Sequence, residues 1–259
     1  MDLAALRRMA GVRERLGMVR PVAPRPMTRD VPGEEISPGL RYLEYTTAWP
    51  EPPVEFDLSF ARLATARREH LLHFDTETTG LAGGTGTRAF MIGAADWHGG
   101  QLRVRQLYMT SMAAESAMLT AFASWVGTHT VLVSYNGKSY DAPLLATRYR
   151  LARMPNPLSG LTHVDLLHPM RRRFRHVWEN CKMQTAERKL LRIVREDDLP
   201  GSEAPRAWLT YLRGGSSADL ARVAAHNLQD VRSLSGLLVE AQGWAAQDAH
   251  AASPAGNEK

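Results

Sequence analysis

The sequence predicts an α/β fold, a mixed central β-sheet flanked by helices. Three observations carry that prediction. EHLLHFD is an apolar run short enough for a buried strand, and it stops at a Thr-Thr-Gly turn. AFMIGAADW and QLRVRQLYMT follow, separated only by His-Gly-Gly, which reads as a hairpin. Beyond residue 110, segments of helical period alternate with strand-like runs.

The later elements read in order. SMAAESAMLTAFASWVG is a helix, with Ser111 as N-cap and Gly127 as its stop. TVLVSYN is a strand and SYDAPLLATRYRL a helix. THVDLLH is a short strand candidate, and residues 181–240 are mostly helical. Before this core, residues 1–55 read as a basic amphipathic helix (2–17) followed by a Pro-rich arm. Eight of the 15 prolines fall at positions 21, 24, 26, 32, 38, 50, 52 and 53. The globular domain is set at 56–240, and 241–259 reads as a flexible tail.

The 259 residues allow one domain with a good core. No apolar run approaches a membrane span, and the arginine-rich first twenty residues do not suit a signal peptide, so a cytoplasmic protein without a membrane partner is expected. A single cysteine, Cys181, excludes an internal disulfide and argues against a Cys-rich zinc site. The net charge of +5 leans towards a polyanionic partner without establishing one.

The chemistry rests on acids in unusual places. Asp75 and Glu77 are two apart on a strand, so they share a face. Two such carboxylates repel unless a cation lies between them or one takes a proton, and oxygen-only ligands suit Mg²⁺ or Mn²⁺. Asp141 opens a helix just past the strand ending at Asn136-Gly137. Alone it would be a helix-terminal charge; its position at a neighbouring strand end sets it near Asp75. In SSADLARVAAHNLQDVRSLSGLLVE, Ser216 and Asp219 suggest a cap. At about 100° per residue, Asp230 falls on the apolar face with His226 one turn earlier. A core-facing Asp is tolerated when paired with an arginine or bound to a metal.

Asp75, Glu77, Asp141 and Asp230, with His226, resemble the DEDD 3′–5′ exonucleases. DTETTGLAGGTGTRAF, SYNGKSYDAPLL, HVDLLHPMRR, REDDLPG and AAHNLQDVRSLSGLL together look like the YprB-like branch of ribonuclease H-like proteins, over roughly residues 40–240. The element order is also that of the ribonuclease H-like fold. One detail departs from the histidine subclass: His226 precedes Asp230 by four residues, not five.

The resemblance implies a metal-dependent 3′–5′ exonuclease acting in DNA processing or repair. The four acids would hold two Mg²⁺ or Mn²⁺ ions about 3.5–4 Å apart, and His226 would act as general base. Nucleoside 5′-monophosphates would be released. DNA stands ahead of RNA as substrate, and a helicase is a candidate partner. Two rivals share the fold: a structure-specific endonuclease, and a non-catalytic nucleic-acid-binding domain.

Other segments carry two readings each. LAGGTGTR lacks the Gly-Lys-Ser/Thr ending of a phosphate loop. Its Gly84 and Thr85 either approach a terminal nucleotide or simply form a hairpin loop. Arg171, Arg172, Arg173 and Arg175 are a phosphate track or solvated charge, and Asn136 joins them as a nucleic-acid contact. Asp165 is a rival acid or a structural one. Asp197-Asp198 reads as a structural turn, and Cys181 as a half-buried thiol.

Overall fold

A computed structural model describes residues 28–48, 53–80, 84–196, 198–244 and 247. The helix expected over 2–17 and most of the tail lie outside them. The described chain builds β1 (Glu34–Ser37), β2 (Leu40–Ala48), β3 (Glu55–Phe56), β4 (Ala66–Arg67), β5 (Leu71–Thr78), β6 (Ala89–His98), β7 (Gln101–Met109), β8 (Val131–Ser134) and β9 (Thr162–Asp165). Its α-helices are α1 (Glu115–Ala123), α2 (Asp141–Leu151), α3 (Leu167–Phe174), α4 (Met183–Ala186), α5 (Ala204–Leu212) and α6 (Ala218–Gln242).

Seven strands form one sheet in the order β1-β2-β7-β6-β5-β8-β9. β5, β6 and β7 are antiparallel neighbours, while β5-β8 and β8-β9 are parallel, so the sheet is mixed, as the sequence predicts. Gly99 and Gly100 close the β6-β7 hairpin with φ of 57° and 78°, the left-handed pair that a two-residue turn between twisted strands demands. One core joins Leu72, Phe74, Phe122, Leu145 and Tyr149 on the α1/α2 side. Another joins Leu71, Trp97, Val133, Leu234 and Leu238 beneath α6.

The structure corrects the boundary of the Pro-rich arm. β2 pairs with β7 over its whole length, Leu40 with Met109 through Ala48 with Gln101. Tyr108 also donates its hydroxyl to the Pro32 carbonyl. Among the described residues, Pro32, Pro38 and Pro53 sit outside the strands, and Pro38 with Gly39 (φ 74°) makes the β1-β2 turn. A proline at a strand's end removes no ladder hydrogen bond. The start of the tail is corrected too. α6 runs to Gln242, and Trp244 packs on Phe60 and Phe174 with ring centroids 6.1 and 5.4 Å away. The helix after Ser111 stops at Ala123, short of Gly127, and Ser111 Oγ accepts from the Ala113 amide at 3.3 Å.

Candidate active site

β5 delivers the first two acids. Its odd residues face α6, and Asp75 and Glu77 lie at its C-terminal end, opposite Gly93 and Met91 of β6. Gly93 lets the helix come close: a Cβ there would stand 2.0 Å from Asn227 Oδ1 and 2.9 Å from Val231 Cγ2. Asn227 uses that proximity. Its Nδ2 donates to Asp75 Oδ2 at 3.0 Å, and its Oδ1 accepts from Gln106 Nε2 at 2.9 Å. A chain of amides from β7 through α6 thus fixes the first carboxylate.

Asp141 is the first residue of α2 and is buried, with Thr76 donating its hydroxyl to Oδ1. Gly137 allows the approach, since a Cβ there would lie 2.4 Å from Ser134 Oγ and 3.2 Å from Asp141 Oδ2. Tyr140 donates to the Gly80 carbonyl at 2.8 Å, tying the β5 exit to the start of α2.

Asp230 and His226 come from α6, one turn apart, with His226 Nε2 3.5 Å from Asp230 Oδ2. Asp198 faces the other ring nitrogen, Oδ1 to Nδ1, at 2.7 Å. Arg195 is the hub of this side. It forks onto the fully buried Glu187 at 2.8 and 2.5 Å, reaches Asp198 at 3.2 Å, and donates to Asp230 Oδ1. Of the two ways to tolerate a core-facing Asp230, the structure displays the arginine.

The acids feel one another. Burial pushes the Asp75 carboxyl well above its usual range, and Asp230, Asp141 and Glu77 push it further. Glu77 is raised likewise, by burial and then by Asp230, Asp141 and Asp198, with Arg195 opposing. Burial raises Asp141 to about 6, although the Thr76 hydroxyl pulls the other way. Asp230 is raised by burial against the pull of His226 and Arg195. Mutual repulsion of this kind is what a hard divalent cation relieves, and the all-oxygen donor set fits Mg²⁺ or Mn²⁺. Among the described residues, no three His, Cys, Asp or Glu side chains are already arranged to hold an ion. The Arg195–Asp230 pair satisfies one member of the set in another way.

The remaining candidates divide. Asp165 is structural: it accepts from the amides of Asn136 (2.7 Å), Lys138 (3.1 Å) and Leu167 (3.1 Å), joining the β8 turn to the start of α3. Thr85 offers its carbonyl to Arg148 at 2.8 Å, and Gly84 holds φ +83° in open space. The basic segment splits. Arg172 donates to the Phe60 carbonyl, Arg173 lies over Trp244 at 5.2 Å, and Arg175 contacts His176 at 2.8 Å. Arg171 instead turns to a cavity beside Asn136. Sequence reasoning missed Arg195 and Asn227, and read Asp198 as a turn residue.

Among the described residues no helix is long and apolar enough to cross a membrane. The RNase_H superfamily profile matches residues 72–242. The chain is 36% identical over 185 residues to the uncharacterized protein YprB of Bacillus subtilis strain 168, covering 71% of this chain and 45% of that protein. It thus spans less than half of that relative's length. The family B DNA polymerase of the hyperthermophilic archaeon Pyrobaculum calidifontis shares the fold, with a TM-score of 0.52 and 18% identity over 64% of this chain and 24% of the polymerase. The chain therefore belongs to the RNase_H superfamily, as a YprB-like member with a nuclease-like fold.

Proposed function

We propose that the protein is a metal-dependent 3′–5′ exonuclease. The observation that carries this reading is the convergence of Asp75, Glu77, Asp141 and Asp230 from β5, α2 and α6, close enough that Asp230 and Asp141 add to burial in raising the carboxyls of Asp75 and Glu77. These four would hold two Mg²⁺ or Mn²⁺ ions. Bound there, the ions would supply charge neutralisation and Lewis acidity at a phosphodiester. The chain's own residues do the rest. Asn227 and Thr76 orient Asp75 and Asp141. Asp198 orients His226, whose Nε2 takes the proton of an attacking water. DNA as substrate, a role in repair and a helicase partner are supported by the family resemblance alone.

End-labelled DNA and RNA oligonucleotides, blocked at either end, test the reading with Mg²⁺ and Mn²⁺. Stepwise release of 5′-mononucleotides from an open 3′ end is expected, abolished by a 3′ block or by chelator. Internal cleavage of a doubly blocked strand would instead mark an endonuclease. A second reading, a nucleic-acid-binding domain without turnover, is favoured by one observation: Arg195 already neutralises Asp230. Binding without cleavage under every metal would establish it.

A further inference from the structure

We propose that the cavity between the β8 turn, α3 and residues 180–183 is a nucleotide subsite. It would take the base and sugar of the unit next to the scissile phosphate, with flanking phosphates on Arg171 and Lys182. The inference rests on the exonuclease reading for the position of the scissile phosphate.

Its volume is about 450 Å³, within the range of small-ligand sites, and its walls include Tyr135, Asn136, Leu167, Arg171, Lys182 and Met183. Position comes from the turn after β8. Gly137, the residue after Asn136, lies against Asp141: a Cβ on it would stand 3.2 Å from Asp141 Oδ2. The Asn136 wall of the cavity therefore borders one of the four carboxylates.

The walls are tied together without a ligand. Asp165 holds the Asn136 amide and the Leu167 amide at once, joining two walls through one carboxylate. Tyr135 donates to the Cys181 carbonyl at 2.7 Å, which fixes the third. Asn136 is kept in the left-handed region, φ 70°, so its side-chain amide is presented from a rigid turn. A preformed site loses little entropy on binding.

The chemistry of the walls is that of a nucleotide. Leu167 and Met183 give an apolar floor for a base. Asn136 offers an amide to a base edge. Arg171 and Lys182 are exposed at the rim, and among the described residues neither has an acidic partner. Their neighbours differ: Arg188 pairs with Glu179, and Arg195 with Glu187, Asp198 and Asp230.

The test is equilibrium binding of a fluorescein-labelled ten-nucleotide oligothymidylate in chelator, read by anisotropy across a salt series. Arg171→Ala/Lys182→Ala should weaken binding at least about tenfold and reduce the salt slope by about 1.4, two single-strand phosphate contacts. Met183→Trp, which fills the cavity without changing charge, should also weaken binding. Arg150→Ala/Arg213→Ala removes the same charge from exposed positions elsewhere and sets the general electrostatic loss. A fall no larger than in that control, together with unchanged affinity in Met183→Trp, overturns the subsite. Failure of the exonuclease reading looks different: the wild-type protein then leaves oligonucleotides intact with Mg²⁺ and Mn²⁺ while the variants still bind the probe more weakly.

Discussion

Asp198 Oδ1 and His226 Nδ1 stand 2.7 Å apart, which leaves Nε2 as the nitrogen that faces Asp230. A carboxylate accepting from Nδ1–H fixes the tautomer whose basic lone pair points into the site. His226→Ala should slow single-turnover cleavage by roughly 10²–10⁴-fold, the range for a positioned base, while calorimetric metal binding persists. Asp198→Ala should fall between that variant and wild type. The double variant should be no slower than His226→Ala, because Asp198 acts through the ring. Multiplicative losses would show that Asp198 works by another route.

Asn227 sits between Gln106 and Asp75, and its absence would leave a buried amide and a carboxylate short of partners. Asn227→Ala should cost about 1–3 kcal/mol in a denaturant titration. Gly93→Ala should cost at least a similar amount, since its Cβ would enter the Asn227 side chain and force α6 outward. A neutral Gly93→Ala would mean that the helix is free to shift at that point.

The raised acids give a pH dependence whose sign is fixed. Asp141 has its folded pKa raised from 3.8 to about 6. A carboxylate raised in this way costs stability once ionised, so the metal-free protein loses stability as pH climbs from near 4 to near 6. Asp75 and Glu77 shift in the same direction and extend the loss upward. Asp198, lowered by its His226 and Arg195 contacts despite burial, contributes with the opposite sign below about pH 4. Melting curves in chelator should therefore fall between pH 4.5 and 7. Mn²⁺ should raise the melting temperature more at pH 7.5 than at pH 5, because an ion replaces the protons. Equal metal stabilisation at both pH values would count against the four acids as ligands.

What was legible in the sequence is what period and punctuation reveal. Asp75 and Glu77 stand out because a strand's period of two puts both on one face before a glycine turn. Asp230 stands out because an acid interrupts the apolar stripe of a long helix. Arg195 has no such frame. It lies in irregular chain between Glu187 and α5, and its partners are eight residues before it and thirty-five after. Asn227 was hidden in plain view, because an amide on an apolar face says nothing about the Gln106 and Asp75 that meet it across the sheet. β2 was hidden by composition: prolines on either side of LRYLEYTTA outweigh its strand-forming residues in any local window.

Arg195 gives the sharpest test of how the site is charged. Two of the three acids it binds have different fates: Glu187 is fully buried and belongs to the π-helical turn Glu187–Leu191, whereas Asp230 retains 13% side-chain exposure and belongs to the candidate metal set. Removing the guanidinium strands both, and breaking such a buried pair typically costs about 3–5 kcal/mol. Arg195→Ala should therefore lower metal-free stability by about that amount. A divalent ion can take over the neutralisation of Asp230 but cannot reach the role that Arg195 plays at Glu187. Mg²⁺ or Mn²⁺ should thus restore part of the lost stability, and the gain in melting temperature should exceed that of wild type, where the ion must compete with Arg195 for Asp230. Glu187→Gln in the same background should recover a further part, since an amide needs no counter-charge. If metal stabilises Arg195→Ala and wild type equally, Asp230 is not exchanged between guanidinium and ion, and the arginine is its permanent partner.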